Sequence, residues 1–185
     1  IKTELDLTIP LKGSTGVVSK VLIGTDNTRL MIPSLNLEFD RIKGDFSYGS
    51  SSGINAKNVT TTLFEQPVSA LIQSQLSPEK PSSQQTRIQL QGAITAKALY
   101  QWLPLPALQR VQGKATYDAE MRFGGGEAHQ IRISSDLLGV AADLPRPLAK
   151  TAEQKRALEM LIRVGERQTH YLSYGELVNY ALWFD

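Results

Sequence analysis

The stretch that decides the fold runs from Ile131 to Lys150 and reads IRISSDLLGVAADLPRPLAK. It opens with apolar and polar residues in alternation, since Ile131 and Ile133 fall on one face of a strand and Arg132 and Ser134 on the other. This two-residue period is typical of a sheet with one buried and one wetted face. The stretch therefore predicts a half-buried β-strand at its start.

A second strand follows a polar corner in the same stretch. Ser135 and Asp136 form the corner, and Val140 and Ala142 then share one face of an extended segment. Pro145 stops the sheet, because proline has no N–H to give to a neighbouring strand. The sequence predicts two strands that meet at this corner, with a proline-rich segment after the second.

The same alternation recurs along most of the chain and predicts about ten to twelve strands, an all-β pattern. It is strongest from Gly113 to Phe123. A phase slip at Asp40 and Arg41 predicts a β-bulge. A turn is predicted at 24–27, between a strand over 17–23 and a short one over 30–32.

One segment departs from the strand pattern. Ala96, Leu99, Tyr100 and Leu103 recur at helical spacing, and the prolines that follow end the repeat. We predict one short helix over 96–103. Trp102, on this helix, is expected to anchor the core rather than to stack on a ligand.

The composition argues against some functions but does not identify one. The chain has 185 residues, of which 20 are basic and 18 acidic, and the basic residues are scattered, so nucleic-acid binding has little support. We expect two modules, 1–76 and 87–185, joined by a polar linker over 77–86. The first residue is Ile1, already within an alternating run, so we expect a fragment of a longer chain.

Motifs for catalysis were sought and not found. The chain has no cysteine and no Gly-x-Ser-x-Gly elbow, and His129 and His170 lack a second ligand at metal spacing, so we expect no enzyme activity, metal or cofactor. Asp136 and Asp143 resemble the paired carboxylates of glycosidases, but we assign Asp136 to an Asx-turn and Asp143 to solvent. Lys150 is expected to be a solvated charge, with a lipid headgroup as a second possibility.

Strands with one apolar and one polar face admit two architectures. The sheet closes into a sandwich or barrel, or it curls into an open trough whose apolar side stays available. Periodicity does not choose between them.

A resemblance to a known family supplies the choice. The opening stretch, through Ser135-Asp136-Leu137, Gly139-Val140, Asp143-Leu144-Pro145, Pro147-Leu148 and Lys150, resembles the signature of the YhdP family, AsmA-like relatives of TamB in the Gram-negative envelope. The segment 102–108 with Gly113 resembles the part that precedes this signature. The runs at 44–48, 53–59 and 66–72 resemble the AsmA-like repeating unit.

The resemblance implies a curved open antiparallel sheet that forms a hydrophobic β-groove for phospholipid acyl chains. The residues expected to line it are Leu5, Leu37, Phe46, Tyr117, Met121, Ile133 and Val140. It also implies the periplasmic part of an inner-membrane-anchored protein that carries phospholipids between inner and outer membranes, with envelope proteins as possible partners. The alternative is a structural or chaperone-like module that receives strands of other proteins by β-augmentation.

Overall fold

The computed structural model describes residues 2–8, 18–76, 83–125, 129–164 and 168–184. Within them lie twelve strands, one α-helix and the 3-10 turns Pro33–Leu35 and Pro106–Arg110. The strands are β1 (Lys2–Thr8), β2 (Val18–Ile32), β3 (Leu37–Gly49), β4 (Gly53–Leu63), β5 (Gln66–Leu76), β6 (Gln84–Thr95), β7 (Val111–Gly124), β8 (His129–Ser135), β9 (Val140–Ala142), β10 (Leu158–Val164), β11 (Gln168–Tyr174) and β12 (Val178–Phe184). The helix is α1 (Ala96–Trp102).

The strands form one open antiparallel sheet. Each pairs with the next along the chain from β1 to β8, and the order continues through β10, β11 and β12. The short β9 lies off this path and pairs with the start of β7. Among the described strands, β1 and β12 each pair on one side only, so the sheet is open. The predicted all-β class and open antiparallel sheet are confirmed.

Aligned bulges crease the first half of the sheet. The β2–β3 register shifts between Thr25 and Leu30, and the β3–β4 register shifts between Asp40 and Asp45. Arg41 has a φ of 53°, which confirms the bulge predicted there. The predicted turn at 24–27 is wrong, because β2 and β3 bulge together and β2 therefore continues to Ile32. Bulged strands bend, so this crease curves the sheet.

The helix ties two distant loops together along one edge of the sheet. Thr95 begins it by accepting a hydrogen bond from the Ala98 N–H at 3.1 Å, and the predicted helix is confirmed. The Trp102 Nε1–H donates to the Leu35 carbonyl at 2.8 Å, and the indole packs on Phe64 with ring centroids 5.7 Å apart. The connection between β6 and β7 that contains the helix lies four strand spacings from the Leu35 loop between β2 and β3, so the helix lies over the ends of the intervening strands. We call this side of the sheet, where the strands end under the helix, the helix edge; it is distinct from the edge strands β1 and β12.

The core occupies one face of the central strands, next to the helix edge. Its buried members are 3–9% exposed; they are Leu37, Phe39, Leu63, Val68, Leu90 and Ala119. Trp102 and Phe64 pack against them from the helix edge. Because a single sheet supplies nearly all of these side chains, it must curve around them to bury them.

The β8–β10 loop, residues 136–157, docks on β7 at the helix edge and contains β9. Gly113 has a φ of 102°, and a Cβ there would lie 2.1 Å from the Gly139 carbonyl oxygen. Gly139 also has a positive φ, of 88°. Two glycines in the conformation that disfavours other residues therefore allow the two backbones to touch. The predicted strands on either side of the Ser135-Asp136 corner are confirmed as β8 and β9.

The sheet runs on through the predicted module boundary. β5 and β6 pair without a register shift from Ser69↔Gln91 to Leu76↔Gln84. Of the predicted linker, 77–82 lies outside the described residues, and Gln84, Gln85 and Thr86 belong to β6. The division into two modules stays a prediction.

Candidate functional site

A continuous row of apolar side chains crosses the sheet at right angles to the strands. Each member faces its neighbour in the strand register from β2 to β10; the row consists of Ile23, Phe46, Ala56, Ile72, Ile88, Met121, Ile131 and Ile162. Residues directly opposite in a ladder project on the same face of the sheet. Seven strand spacings give this central row a length of about 34 Å. Ala56 is buried, and the other members are half-buried.

A second row runs parallel to the first, one step closer to the helix edge. It crosses from β4 to β12 through Val59, Ala70, Leu90, Ala119, Ile133, Met160, Leu172 and Tyr180. We call it the helix-side row. Its exposure increases along the sheet, from 4% at Val59 to 39% at Leu172 and 53% at Tyr180. The helix-side row is thus largely buried over the central strands and exposed toward β12.

Charged side chains lie on the opposite face. Neither row contains Asp, Glu, Lys or Arg, whereas the register places Glu120 between Gln89 and Arg132 on the other side. Glu120 pairs with Arg87 and, at 2.7 Å, with Arg122. Burial opposes ionisation of this carboxyl, but the bonds to the two arginines prevail and hold its pKa below the ordinary value. The sheet therefore has one charged and one uncharged face.

The structure gathers five of the seven predicted lining residues on the apolar face. Phe46 and Met121 belong to the central row and Ile133 to the helix-side row. Leu5 faces Val21 on the first strand pair and is 66% exposed. Tyr117 packs against the core beside the helix-side row. Whether these residues touch lipid stays a prediction.

The other two predicted residues have different surroundings. Leu37 is 9% exposed and lies inside the core at the helix edge. Val140 is 8% exposed, but it pairs with Gly113 in the β8–β10 loop and is not part of the main core cluster. Neither side chain is accessible on the apolar face as described.

Tyr117 fills a notch in the sheet. Its ladder partner is Gly92, and a Cβ on that glycine would lie 2.8 Å from the tyrosine oxygen. The hydroxyl is buried and has no hydrogen-bond partner among the described residues, and burial raises its pKa. The ring thus packs over the glycine, an arrangement that stabilises sheets where a glycine leaves space.

Lys150 corrects an expectation, since it is buried at 5% exposure and not solvated. Its ammonium group donates to the carbonyls of Leu137 at 2.8 Å and Thr151 at 2.9 Å, and also to that of Val140. Burial, followed by the charge of Arg156, lowers its pKa. All three N–H donors are used within the β8–β10 loop, so Lys150 holds this loop together.

The two aspartates of the same loop behave as the sequence predicts. The Asp136 carboxylate accepts a hydrogen bond from the Leu138 N–H at 3.0 Å, which is the expected Asx-turn, and pairs with Lys155 at 2.9 Å. The turn bond and Lys155 lower the pKa of Asp136. Asp143 is exposed. Their geometry is that of a structural turn.

Sequence reasoning missed most of the central row. Ile72, Ile88 and Ile162 each stand in an alternating segment, which was the available signal. Alternation assigns a residue to a face, but only the strand register shows which residues of different strands lie side by side. The row became visible once the register was known.

Neither a metal-binding cluster nor a membrane-spanning helix occurs in the parts of the chain that the structure describes. Those parts contain no group of three or more His, Cys, Asp or Glu side chains arranged to hold a metal ion. No helix within them has the length and hydropathy needed to cross a membrane.

Sequence comparison relates the chain to a known protein and to a protein family. The chain is 25% identical over 166 residues to the intermembrane phospholipid transporter YhdP of Escherichia coli (strain K12). The aligned region covers 88% of this chain and 13% of that relative. No solved structure matches the chain. The YhdP protein family model matches residues 1–185. The chain therefore belongs to the YhdP protein family.

Proposed function

We propose that this chain is one segment of a lipid-transfer conduit, in which phospholipid acyl chains lie along the central row while headgroups remain in water. The observation that carries the proposal is the uninterrupted, uncharged row from Ile23 to Ile162, which crosses eight strands. A relative described as an intermembrane phospholipid transporter supports it.

The energetics suit a conduit. Burying one methylene is worth about 0.8 kcal/mol, so leaving a chain of about sixteen carbons in water costs on the order of 13 kcal/mol. A half-buried row such as Phe46 to Met121 removes much of that cost. Since the lipid leaves a bilayer that is equally apolar, its net transfer free energy is near zero. Such a surface permits sliding and needs no tight pocket.

The surroundings of the conduit form part of the same proposal. The chain covers 13% of the relative's length, and its central row would span about 34 Å, so it serves as one section of a longer bridge across the periplasm. The complete protein would be anchored in the inner membrane and deliver phospholipid toward the outer membrane. This role requires no catalytic step.

A second function rests on the open ends of the sheet. Within the described residues, β1 and β12 each have a strand neighbour on one side only. An edge strand presents unpaired N–H and C=O groups to which another protein's strand can add. The chain would then act as a chaperone-like module for envelope proteins.

Extraction of the purified chain with organic solvent distinguishes the two. The conduit predicts phospholipid that copurifies in a fixed ratio to protein and decreases in a Met121→Asp variant. Thr116→Asp is the matched control, because Thr116 projects from the charged face of the same strand. Absence of phospholipid from the folded chain, together with binding of extended peptides, would favour the strand receiver.

A further inference from the structure

A third row of side chains lies on the apolar face, on the side of the central row away from the helix edge. It starts with Leu5, Val21, Tyr48 and Ile54, which follow one another in the register from β1 to β4. We call it the far row. Tyr48 and Ile54 are exposed, although both lie on strands that have neighbours on each side. On β2 and β3 the apolar face is therefore accessible over two rows, the far row and the central row.

The far row becomes polar on β5 and β6. Its members there are Ser74 and Thr86, which face each other in the ladder and whose hydroxyl oxygens lie 2.8 Å apart. Ser74 Oγ also accepts a hydrogen bond from the Ile54 N–H at 3.0 Å and donates to the Ile54 carbonyl at 2.9 Å. Because a hydroxyl donates a single hydrogen bond, Thr86 is the donor to Ser74. The row is apolar again at Phe123, the partner of Thr86 on β7.

The helix-side row is closed on the same two strands. Leu90 is buried within the core, and Ala70 is small and packs against it. The large apolar side chains that stay half-buried between the core and the hydroxyl pair are Ile72 and Ile88 of the central row. The apolar surface thus narrows to one row on β5 and β6, and we call this segment the constriction.

The apolar surface is wider again beyond the constriction. On β8 and β10, Ile133 and Met160 of the helix-side row are half-buried, as are Ile131 and Ile162 beside them in the central row. Both strands have neighbours on each side. The accessible width therefore changes from two rows to one and back to two within the interior of the sheet.

This change of width matters for a molecule with two acyl chains. Adjacent rows are two residues apart along the strands, about 7 Å, so one row supports one extended hydrocarbon chain and two rows support two. A methylene gains free energy when it covers apolar surface, but not when it displaces water from a hydroxyl. A second chain beside Ile72 and Ile88 would cover Ser74 and Thr86.

We propose that the constriction admits one acyl chain of a phospholipid to the sheet at a time, and that Ser74 and Thr86 set this limit. A two-chain lipid then has both chains on the sheet over β2 and β3 and over β8 and β10, but one chain at β5 and β6. The inference rests on the proposed function, since it requires acyl chains on the apolar face. It makes the constriction the step at which two-chain and single-chain lipids differ.

The test compares two lipids that remain monomeric in water, dihexanoyl phosphatidylcholine and the single-chain hexanoyl lysophosphatidylcholine. Isoleucine Cδ1 methyl resonances of the purified chain report the affinity at each position by NMR. At Ile131 and Ile162 we expect the two-chain lipid to bind about ten- to thirty-fold more tightly, as half-burial of about five further methylenes implies. At Ile72 and Ile88 we expect the two affinities to agree within about two-fold.

A conservative variant tests the role of the hydroxyl pair. Thr86→Val replaces the hydroxyl by a methyl group of similar size, while Ser74 keeps its bonds to Ile54. It should raise the preference for the two-chain lipid at Ile88 to about three- to ten-fold, without altering binding of the single-chain lipid. Thr116→Val is the matched control, because it makes the same exchange on the charged face of β7. Thr86→Ser, which keeps a hydroxyl, should behave as the unaltered chain.

The outcomes separate the constriction from the conduit. An equal preference for the two-chain lipid at Ile88 and at Ile131 in the unaltered chain would refute the constriction and leave the conduit in place. The same effect of Thr86→Val and Thr116→Val at Ile88 would show that the hydroxyl pair does not set the width. Shifts with neither lipid at any isoleucine of the rows would remove the conduit and the constriction together.

Discussion

The central row and the β8–β10 loop differ in how specific their side-chain contacts are. The row consists of ordinary apolar side chains, of which Ala56 is buried and the others are half-buried. In the loop, by contrast, Lys150 makes three carbonyl bonds, and Arg156 donates to Pro147 and Ala149 at 3.1 and 3.2 Å. Arg156 also stacks on Tyr174 at 5.1 Å. The distinctive residues are thus concentrated in the loop.

The residues that identify the family are therefore different from those proposed to carry lipid. Several residues that resemble the YhdP signature need particular side chains, because Asp136 and Lys150 bond specific backbone groups and Gly139 allows a close backbone approach. The row needs only apolar side chains of suitable size on the correct face. A motif can therefore identify the chain while the functional surface lies elsewhere. Five substitutions and two matched controls test this separation.

Met121→Asp should have the largest effect, and on transport. A charge that faces lipid on a β surface costs roughly 2 to 4 kcal/mol at the apolar centre, which slows passage by about thirty-fold to several hundred-fold. The measurement is rescue of outer-membrane integrity by the complete protein in dependent cells, with its abundance determined in parallel.

The matched control is Thr116→Asp on the same strand. Thr116 is exposed and pairs with Ala93 on the charged face, so this change should preserve rescue. Equal rescue by both variants at equal abundance would show that the apolar face is not the path.

Lys150→Met should affect stability instead. It leaves the buried carbonyls of Leu137, Val140 and Thr151 without their donor, at a cost of about 2 to 3 kcal/mol in the free energy of unfolding. Urea denaturation of the purified chain measures it. Lys155→Met, which removes an exposed ion pair from the same loop, should change the midpoint little. Equal effects of the two changes would contradict the role assigned to Lys150.

Gly92→Ala should destabilise the chain by about 1 to 2 kcal/mol, because the added methyl group meets Tyr117 and Val68 at 2.8 and 2.9 Å. Tyr117→Phe should be neutral or slightly stabilising, since it removes a buried hydroxyl without a partner. Thermal unfolding compares the two. A large loss on Tyr117→Phe would reveal a hydrogen bond to this hydroxyl.

Asp136→Asn should have the smallest effect. The amide oxygen of asparagine still accepts the Leu138 N–H, and the lost pair with Lys155 is exposed. We expect an unchanged unfolding midpoint at neutral pH and normal rescue. Since the pKa of Asp136 is lowered in the folded state, its carboxylate contributes above its ordinary pKa and loses this contribution as the pH falls through the folded value. Loss of rescue at normal stability would instead indicate a functional carboxylate.

Much of the fold could be predicted because its causes are local. Alternation predicts strands such as β7, helical spacing followed by prolines predicts α1, and a phase slip predicts the bulge at Arg41. The turn expected at 24–27 was wrong because two strands bulged together, and a paired bulge depends on both strands. Local pattern cannot distinguish it from a turn.

The site was harder to predict for the same reason. Periodicity assigns Leu37 and Met121 equally to an apolar face, but the curvature of the sheet buries Leu37 and leaves Met121 half-exposed. The environment of Lys150 also depends on the folding of the β8–β10 loop, which brings the Leu137 carbonyl next to the Lys150 ammonium group. Both outcomes follow from contacts between residues far apart in sequence.

The even spacing of the central row has a consequence for movement. Its side chains form a corrugation with a period of about 4.8 Å, the distance between strands. On the proposed path, a long acyl chain would rest on several of these ridges at once, so a small displacement would weaken some contacts while it strengthened others. The energy of the lipid would then vary little with position, and long chains should experience a smoother path than short ones. The residues from Ile23 to Ile162 would thus serve as a low-friction track.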